Sequence, residues 1–444
     1  MSIYAYICFL FGISILLAFI THKISDRVQS TIAITASAMI GSLILLLLGF
    51  LGWLRLDNIA THIMEELDFK NFLLNGMLGF LLFAGSLGIK LPLMKDQRWE
   101  IATFALFSTL CSTLMIGALI YYATACLGWH IDFIYCVVFG ALISPTDPIA
   151  VLAIIKNLRA PKRLSMQVEG ESLFNDGVGL VIFTTVFAVA FGGQEASTSG
   201  ITMLFLHEAV GGILFGLITG FVSHYLISAT DDGSLEILIT LTIPTTGFMV
   251  ANYMHVSGAL AMVTSGIMIG NWTRRHGFSE QSQRYLDHFW EMIDHSLNSL
   301  LFLLIGLALL LVDFTWASSI MMLIAIPVCL LARYVSVWLP FKVMQRFRRY
   351  NPYTVKILTW GGLRGGLALA MALSIPSHVG LMTGDDVVVD VRDLILLMTY
   401  AVVTFSILVQ GVTIEKMIKS AKLVDPKRQA YLKLGAGEDY TPDV

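Results

Sequence analysis

Ser144-Pro145-Thr146-Asp147-Pro148 sits in the middle of an apolar stretch covering residues 132–156. Each of the two prolines removes a backbone N–H donor and crowds the carbonyl four residues back, so an α-helix cannot run through the segment intact. In hydrocarbon the freed backbone groups must be satisfied internally, and such a break is tolerated only where protein or a water-filled cavity surrounds it. Free carbonyls beside the Thr146 hydroxyl and the Asp147 carboxylate make a set of hard oxygen ligands suited to a small alkali cation. A plainer reading also fits: a proline-kinked helix whose second half is capped by Asp147.

The rest of the chain places this break at membrane depth. Its 444 residues are 56% hydrophobic and only 13% charged, with a mean hydropathy of +0.77. A soluble domain carries about a quarter charged residues, and the deficit here falls in blocks of a length that crosses hydrocarbon. The formal net charge of -3 gives no electrostatic support for binding nucleic acid. Cys8, Cys111, Cys126, Cys136 and Cys329 lie in apolar sequence without a C-x-x-C pair or a histidine at ligand spacing, and read as packing residues. Residues 1–21 lack a basic leading segment and a small-residue cleavage site, so they read as a first span and not as a removable signal.

The apolar blocks predict thirteen spans, at 3–22, 31–54, 71–91, 99–127, 132–156, 165–192, 201–228, 234–252, 257–272, 286–313, 316–344, 354–378 and 391–419. Basic residues support the count. With the N-terminus outside, 22 of the 28 Lys and Arg residues fall in cytoplasmic segments, against only Arg55, Lys70 and Arg392 outside. The acidic loop Asp231 to Gly233 is the one poor fit. Spans 1–6 then start outside and spans 8–13 inside, the arithmetic of two inverted six-helix repeats joined by span 7. Residues 1–420 read as one transmembrane domain and 421–444 as a short polar cytoplasmic tail.

Ionisable groups at this depth are expensive, so each needs a partner, water or a function. In span 6, Glu169-Gly170-Glu171-Ser172-Leu173-Phe174-Asn175-Asp176 places Ser172 and Asp176 on one helix face and Glu171 and Asn175 on the adjoining one. The first face offers a hydroxyl and a carboxylate to an ion; the second faces a structural partner. Glu169 also fits a polar first turn at the interface. Arg333, alone in span 11, needs a buried carboxylate, for which Glu171 is the candidate; snorkelling to an interface is the alternative. Span 12 contains Gly361-Gly362-Leu363-Arg364-Gly365-Gly366, a second interruption in the position equivalent to span 5 under the repeat. Asp147 and Arg364 are suited to balance the partial charges of helix ends at such a crossing. Asn298 and Ser299 read as structural polar contacts, and His207, Glu208 and Glu236 as interfacial residues near span ends.

In order and spacing, the Ser144 to Pro148 and Glu169 to Asp176 motifs, Ala332-Arg333, Gly361 to Gly365 and Val409-Gln410-Gly411 resemble the NhaP/NHE-type monovalent cation:proton antiporters. The resemblance runs from span 3 to span 13. It implies thirteen helices in inverted repeats, a dimerisation domain and a mobile six-helix core. It also implies that Asp176 is the main cation- and proton-binding carboxylate, assisted by Thr146, Asp147 and Ser172, with Asn175 stabilising the core and Glu171 paired with Arg333. The one departure is Phe83-Ala84-Gly85, where members often carry an acid in place of Ala84.

The expectation is therefore an electroneutral exchanger of Na⁺ or Li⁺ for H⁺, a homodimer in the inner membrane, not an enzyme and without a cofactor. Exchange of K⁺ for H⁺ is the alternative of the same fold. A passive cation channel is a more distant one. An intramembrane aspartyl protease is another, weakened because Phe174 stands where such enzymes have glycine two residues before a catalytic aspartate.

Overall fold

The computed structural model describes residues 3–24, 30–50, 68–158, 161–192, 198–311, 316–346, 351, 353–377, 380–383 and 387–421. The predicted tail from residue 422 onward, together with Arg27, Arg55, Arg159, Arg348 and Arg349, lies outside these described residues.

Each of the thirteen predicted spans coincides with helix among the described residues. Eight helices among the described residues are long and apolar enough to cross a membrane: Phe69–Leu87, Arg98–Cys126, Lys162–Phe191, Ser199–Ser228, Gly233–Tyr253, Gln281–Leu310, Ser319–Met344 and Val391–Ser420. These are spans 3, 4, 6, 7, 8, 10, 11 and 13. Spans 1 and 2 are the helices Ile3–Ile24 and Ser30–Phe50. Span 9 starts at Gly258 and gains length through a π-turn, Ile269–Thr273, that carries it on to His276. Span 10 begins at Glu280, six residues before its predicted start, because the Ser279 hydroxyl caps the helix by accepting from the Ser282 N–H. The protein is a polytopic helical membrane protein.

Spans 5 and 12 are both broken where the sequence predicts. Span 5 is Phe133–Ile143 followed by Ile149–Asn157. Span 12 is Thr354–Trp360 followed by Gly366–Leu373. One element departs from the all-helical expectation: Gly380–Thr383 pairs antiparallel with Val387–Asp390 in the connection between spans 12 and 13. The β-branched run Val387-Val388-Val389 favours this local hairpin.

The helices pack as two groups. Spans 4, 5, 6, 11, 12 and 13 pack closely on one another, span 4 against spans 5 and 11, span 6 against span 5, and span 13 against spans 11 and 12. This six-span body takes three consecutive spans from each half of the repeat. Spans 1, 2, 3, 7, 8, 9 and 10 form the second group, with span 2 on span 10, span 3 on span 9 and span 9 on span 7. Close approach within the six-span body depends on Gly140 of span 5, where a Cβ would collide with the Thr113 carbonyl of span 4. Of the eight long helices, span 7 buries least, leaving Val210, Ile213, Leu214, Leu217 and Phe221 exposed in one apolar face. The packing reading of the cysteines holds for Cys136 and Cys329, which are buried; Cys8 and Cys126 are exposed on apolar helices.

Candidate functional site

The two broken spans cross at their breaks. The Asp147 N–H donates to the Leu363 carbonyl over 2.8 Å, an isolated antiparallel bridge between extended segments. At this crossing the helix ends leave carbonyls and N–H groups without intrahelical partners. Arg364 serves the carbonyls: its Nη1 donates to the Ser144 carbonyl and, over 2.9 Å, to that of Pro145. Asp147 serves the donors, its Oδ1 accepting from the Ile149 N–H at 2.9 Å. The expected charge balance is met in this way, and the capping reading of Asp147 holds beside it. A Cβ on Gly365 would overlap the Asp147 side chain, 3.0 Å from its Cγ, so only glycine lets the two breaks approach this closely.

Span 13 supports the crossing from behind. A π-turn at Ser406–Gln410 turns Ser406 towards the break, where its Oγ accepts from the Arg364 N–H at 3.0 Å. Ser406 donates to Gln410 Oε1 at 2.5 Å, and Gln410 Nε2 donates to the Trp360 carbonyl at 3.0 Å. The sequence singles out Gln410 only through the resemblance, and Ser406 not at all. A π-turn inside an apolar helix has no pattern at the sequence level.

Span 6 locks the other side. Asn175 Oδ1 accepts from the Thr146 N–H at 3.1 Å while its Nδ2 donates to Thr146 Oγ1 at 2.8 Å. Thr146 Oγ1 and Ser172 Oγ are 3.2 Å apart. Since Thr146 Oγ1 already accepts from Asn175, its own proton is free for Ser172. One turn away Arg333 Nη2 donates to Glu171 Oε1 at 2.5 Å and to the Leu358 carbonyl at 3.2 Å, both side chains being buried. Arg333 is thus a buried ion-pair partner and does not snorkel.

Next to this network lies a cavity of about 1470 Å³. Asp147 and Asp176 both border it, as do Ala84, Glu169, Asp294 and Asn298. Asp147 and Asp176 are partly exposed to it, whereas Thr146, Ser172 and Asn175 are buried behind them. The structure therefore divides the expected ligands: two carboxylates reach the cavity, and two hydroxyls face each other inside the wall. Glu169 lines the cavity as well. Asn298, read as a structural contact, also lines it. Glu236 lies in the first turn of its helix, near a span end as expected, and is buried against neighbouring helices. Glu208 lies ten residues into its helix, accepting from Thr184 Oγ1 at 2.7 Å.

The family profile described as "Sodium/hydrogen exchanger, transmembrane" matches residues 15–420. The chain belongs to the sodium/hydrogen exchanger family. This exchanger is 40% identical over 412 residues to the Na(+)/H(+) antiporter NhaP of Pseudomonas aeruginosa, covering 92% of this chain and 94% of that one. It is 32% identical over 376 residues to the Na(+)/H(+) antiporter NhaH of Halobacillus aidingensis, covering 83% of this chain and 87% of that one. Its fold matches the structure of the sodium proton antiporter MjNhaP1 from Methanocaldococcus jannaschii with a TM-score of 0.72. That match covers 95% of the exchanger and 99% of the solved chain at 17% identity. The exchanger is a transporter and not an enzyme.

Proposed function

We propose that the protein exchanges Na⁺ for H⁺ across the membrane by alternating access, with the two ions competing for Asp176. The observation that carries this reading is that Asp176 and Asp147 reach one cavity beside a crossing whose helix ends are already met, the carbonyls by Arg364 and the Ile149 N–H by Asp147. With those partners engaged, Asp176 is left as the carboxylate available to an ion. An unneutralised carboxylate is costly to carry across hydrocarbon. Binding of either a dehydrated cation or a proton removes that cost, so the six-span body moves only when one of them is bound. Coupling then needs neither ATP nor a redox cofactor.

Asn175 supports a one-for-one exchange. It is a neutral amide committed to Thr146, so the position beside Asp176 adds no second titrating charge. The names of the relatives favour sodium over potassium as the cation. The distribution of Lys and Arg supports an N-terminus outside and a C-terminus in the cytoplasm of a cell's inner membrane. The exposed apolar face of span 7 suits either lipid or a second copy of the chain, and a homodimer is the arrangement we favour.

The test is proton flux into proteoliposomes that hold purified protein and an internal pH dye. Addition of Na⁺ or Li⁺ is expected to drive a saturable flux that is unaffected by a voltage clamp. Flux driven by K⁺ alone would replace the cation, and voltage-dependent flux would remove the electroneutral stoichiometry.

A further inference from the structure

We infer that span 10 carries a second cation subsite, formed by the Asp294 carboxylate and the Asn298 amide oxygen, on the way through the cavity to Asp147 and Asp176. This inference rests on Na⁺/H⁺ exchange at Asp176 and adds a binding position to it.

Asp287, Glu291, Asp294 and Asn298 follow one another at spacings of four, three and four residues, which puts them on one face of span 10. All four border the cavity. The outer pair is open and the inner pair is not: the Asp287 and Glu291 side chains are 56% and 66% exposed, whereas Asp294 is partly buried and Asn298 is 3% exposed. Polar groups thus recur once per turn from open solvent into the protein.

The inner pair has features of a ligand site. Asn298 Oδ1 is buried and accepts no hydrogen bond, a condition that costs stability unless something outside the protein fills it. The amide donates through its Nδ2 to the Asp294 carboxylate, one turn back on the same face. Its terminal torsion is soft and roughly two-fold, so a half-turn exchanges nitrogen for oxygen beside that carboxylate. The Asp294 charge acts on Asp147 across the cavity, and that of Asp147 acts on Asp176. Lys156 offsets Asp294 in part. Around the whole cavity, carboxylates outnumber lysines by seven to three, so its field favours cations. An alkali ion between a carboxylate and an amide oxygen meets the hard ligands it prefers.

The experiment compares the Na⁺ dependence of exchange in proteoliposomes for the full-length protein and its variants. Asp294→Asn and Asn298→Leu are each expected to raise the KM for Na⁺ about tenfold, a loss typical of one contact to a charged group. The maximal rate is expected to stay within about twofold of the starting protein in both. Asn298→Asp keeps an oxygen ligand and is expected to leave KM within about twofold. An unchanged KM in Asn298→Leu, or a lost maximal rate with KM unchanged, overturns the subsite. Asn298→Leu alters no charge, so a rise there is not a surface-potential effect. Should Asp294→Asn fail to fold, Asn298→Leu carries the same comparison.

Equilibrium binding of radiolabelled sodium to purified Asp176→Asn separates this inference from the exchange reading. Weak binding that survives in Asp176→Asn and is lost on adding Asp294→Asn supports the subsite even if no exchange is seen. No binding above background in Asp176→Asn overturns it.

Discussion

The Asp147 N–H and the Leu363 carbonyl, 216 residues apart in the chain, are joined by a 2.8 Å hydrogen bond that ties the break in span 5 to the break in span 12. Neither break is closed without the other. The Ser144 carbonyl, which loses its partner at Pro148, and the Pro145 carbonyl, whose would-be donor Ile149 is taken by Asp147, are both held by Arg364, next to Leu363 in the bridge to Asp147.

Gly365→Ala tests how closely the breaks must approach. The added methyl overlaps the Asp147 side chain, and overpacking of this kind costs about 1–3 kcal/mol. We expect a lower unfolding temperature in detergent together with a raised KM for Na⁺ in proteoliposomes. Unchanged values of both would show that the crossing has slack there.

Arg333→Ala leaves Glu171 as a buried, unpaired charge, a change worth about 3–5 kcal/mol of destabilisation. Replacing both partners by apolar residues of similar volume, as in Glu171→Leu with Arg333→Met, is expected to recover most of that loss. Thermal unfolding of Glu171→Leu, Arg333→Met and the double variant gives the coupling directly. Additive losses would argue that the ion pair contributes nothing specific.

Arg364→Gln withdraws the cation from the Ser144 and Pro145 carbonyls. A buried acceptor left without its donor costs about 1–3 kcal/mol, so this variant should unfold earlier than the starting protein. Its exchange should fall more steeply than its stability, because Asp147 is held by the same crossing. Equal exchange rates at saturating Na⁺ would assign Arg364 a purely structural role.

Competition at one carboxylate fixes the sign of the pH dependence. A cation ligand must be deprotonated, so a falling pH favours the protonated Asp176 and raises the apparent KM for Na⁺. Once protonation dominates, the rise should be about tenfold per pH unit for a single group. Rising pH lowers KM until the carboxylate is fully ionised and then leaves it constant. Asp176→Asn should abolish exchange at every pH while keeping a normal elution profile and unfolding curve. A KM independent of pH would exclude shared occupancy of one group.

Much of this site is legible in the chain because its cost is legible. Pro145 and Pro148 forbid a continuous helix, and an arginine amid apolar sequence at position 333 demands a carboxylate. Asp176 lies too far inside an apolar run to be a surface residue. Such features are local, set by dihedral restrictions and desolvation, and they survive without any knowledge of neighbours. The Asp294 and Asn298 pair was within reach of the same reasoning, since its three- and four-residue spacing shows in the sequence. Its significance did not, because the same stripe on an amphipathic helix serves equally well as a solvated face.

The sequence by itself determined the thirteen spans, the two interruptions at equivalent places in the two halves, and the short list of membrane-depth charges, all of which follow from hydropathy and backbone chemistry. Only the tertiary structure decided which groups meet. It gave Arg364 to the Ser144 and Pro145 carbonyls, engaged Asn175 with Thr146, turned Thr146 and Ser172 into the wall, and left Asp147 and Asp176 facing the cavity. Hydrogen bonds form over about 3 Å and depend on direction. Partners separated by 26 to 220 residues are therefore selected by helix packing, which no local pattern encodes.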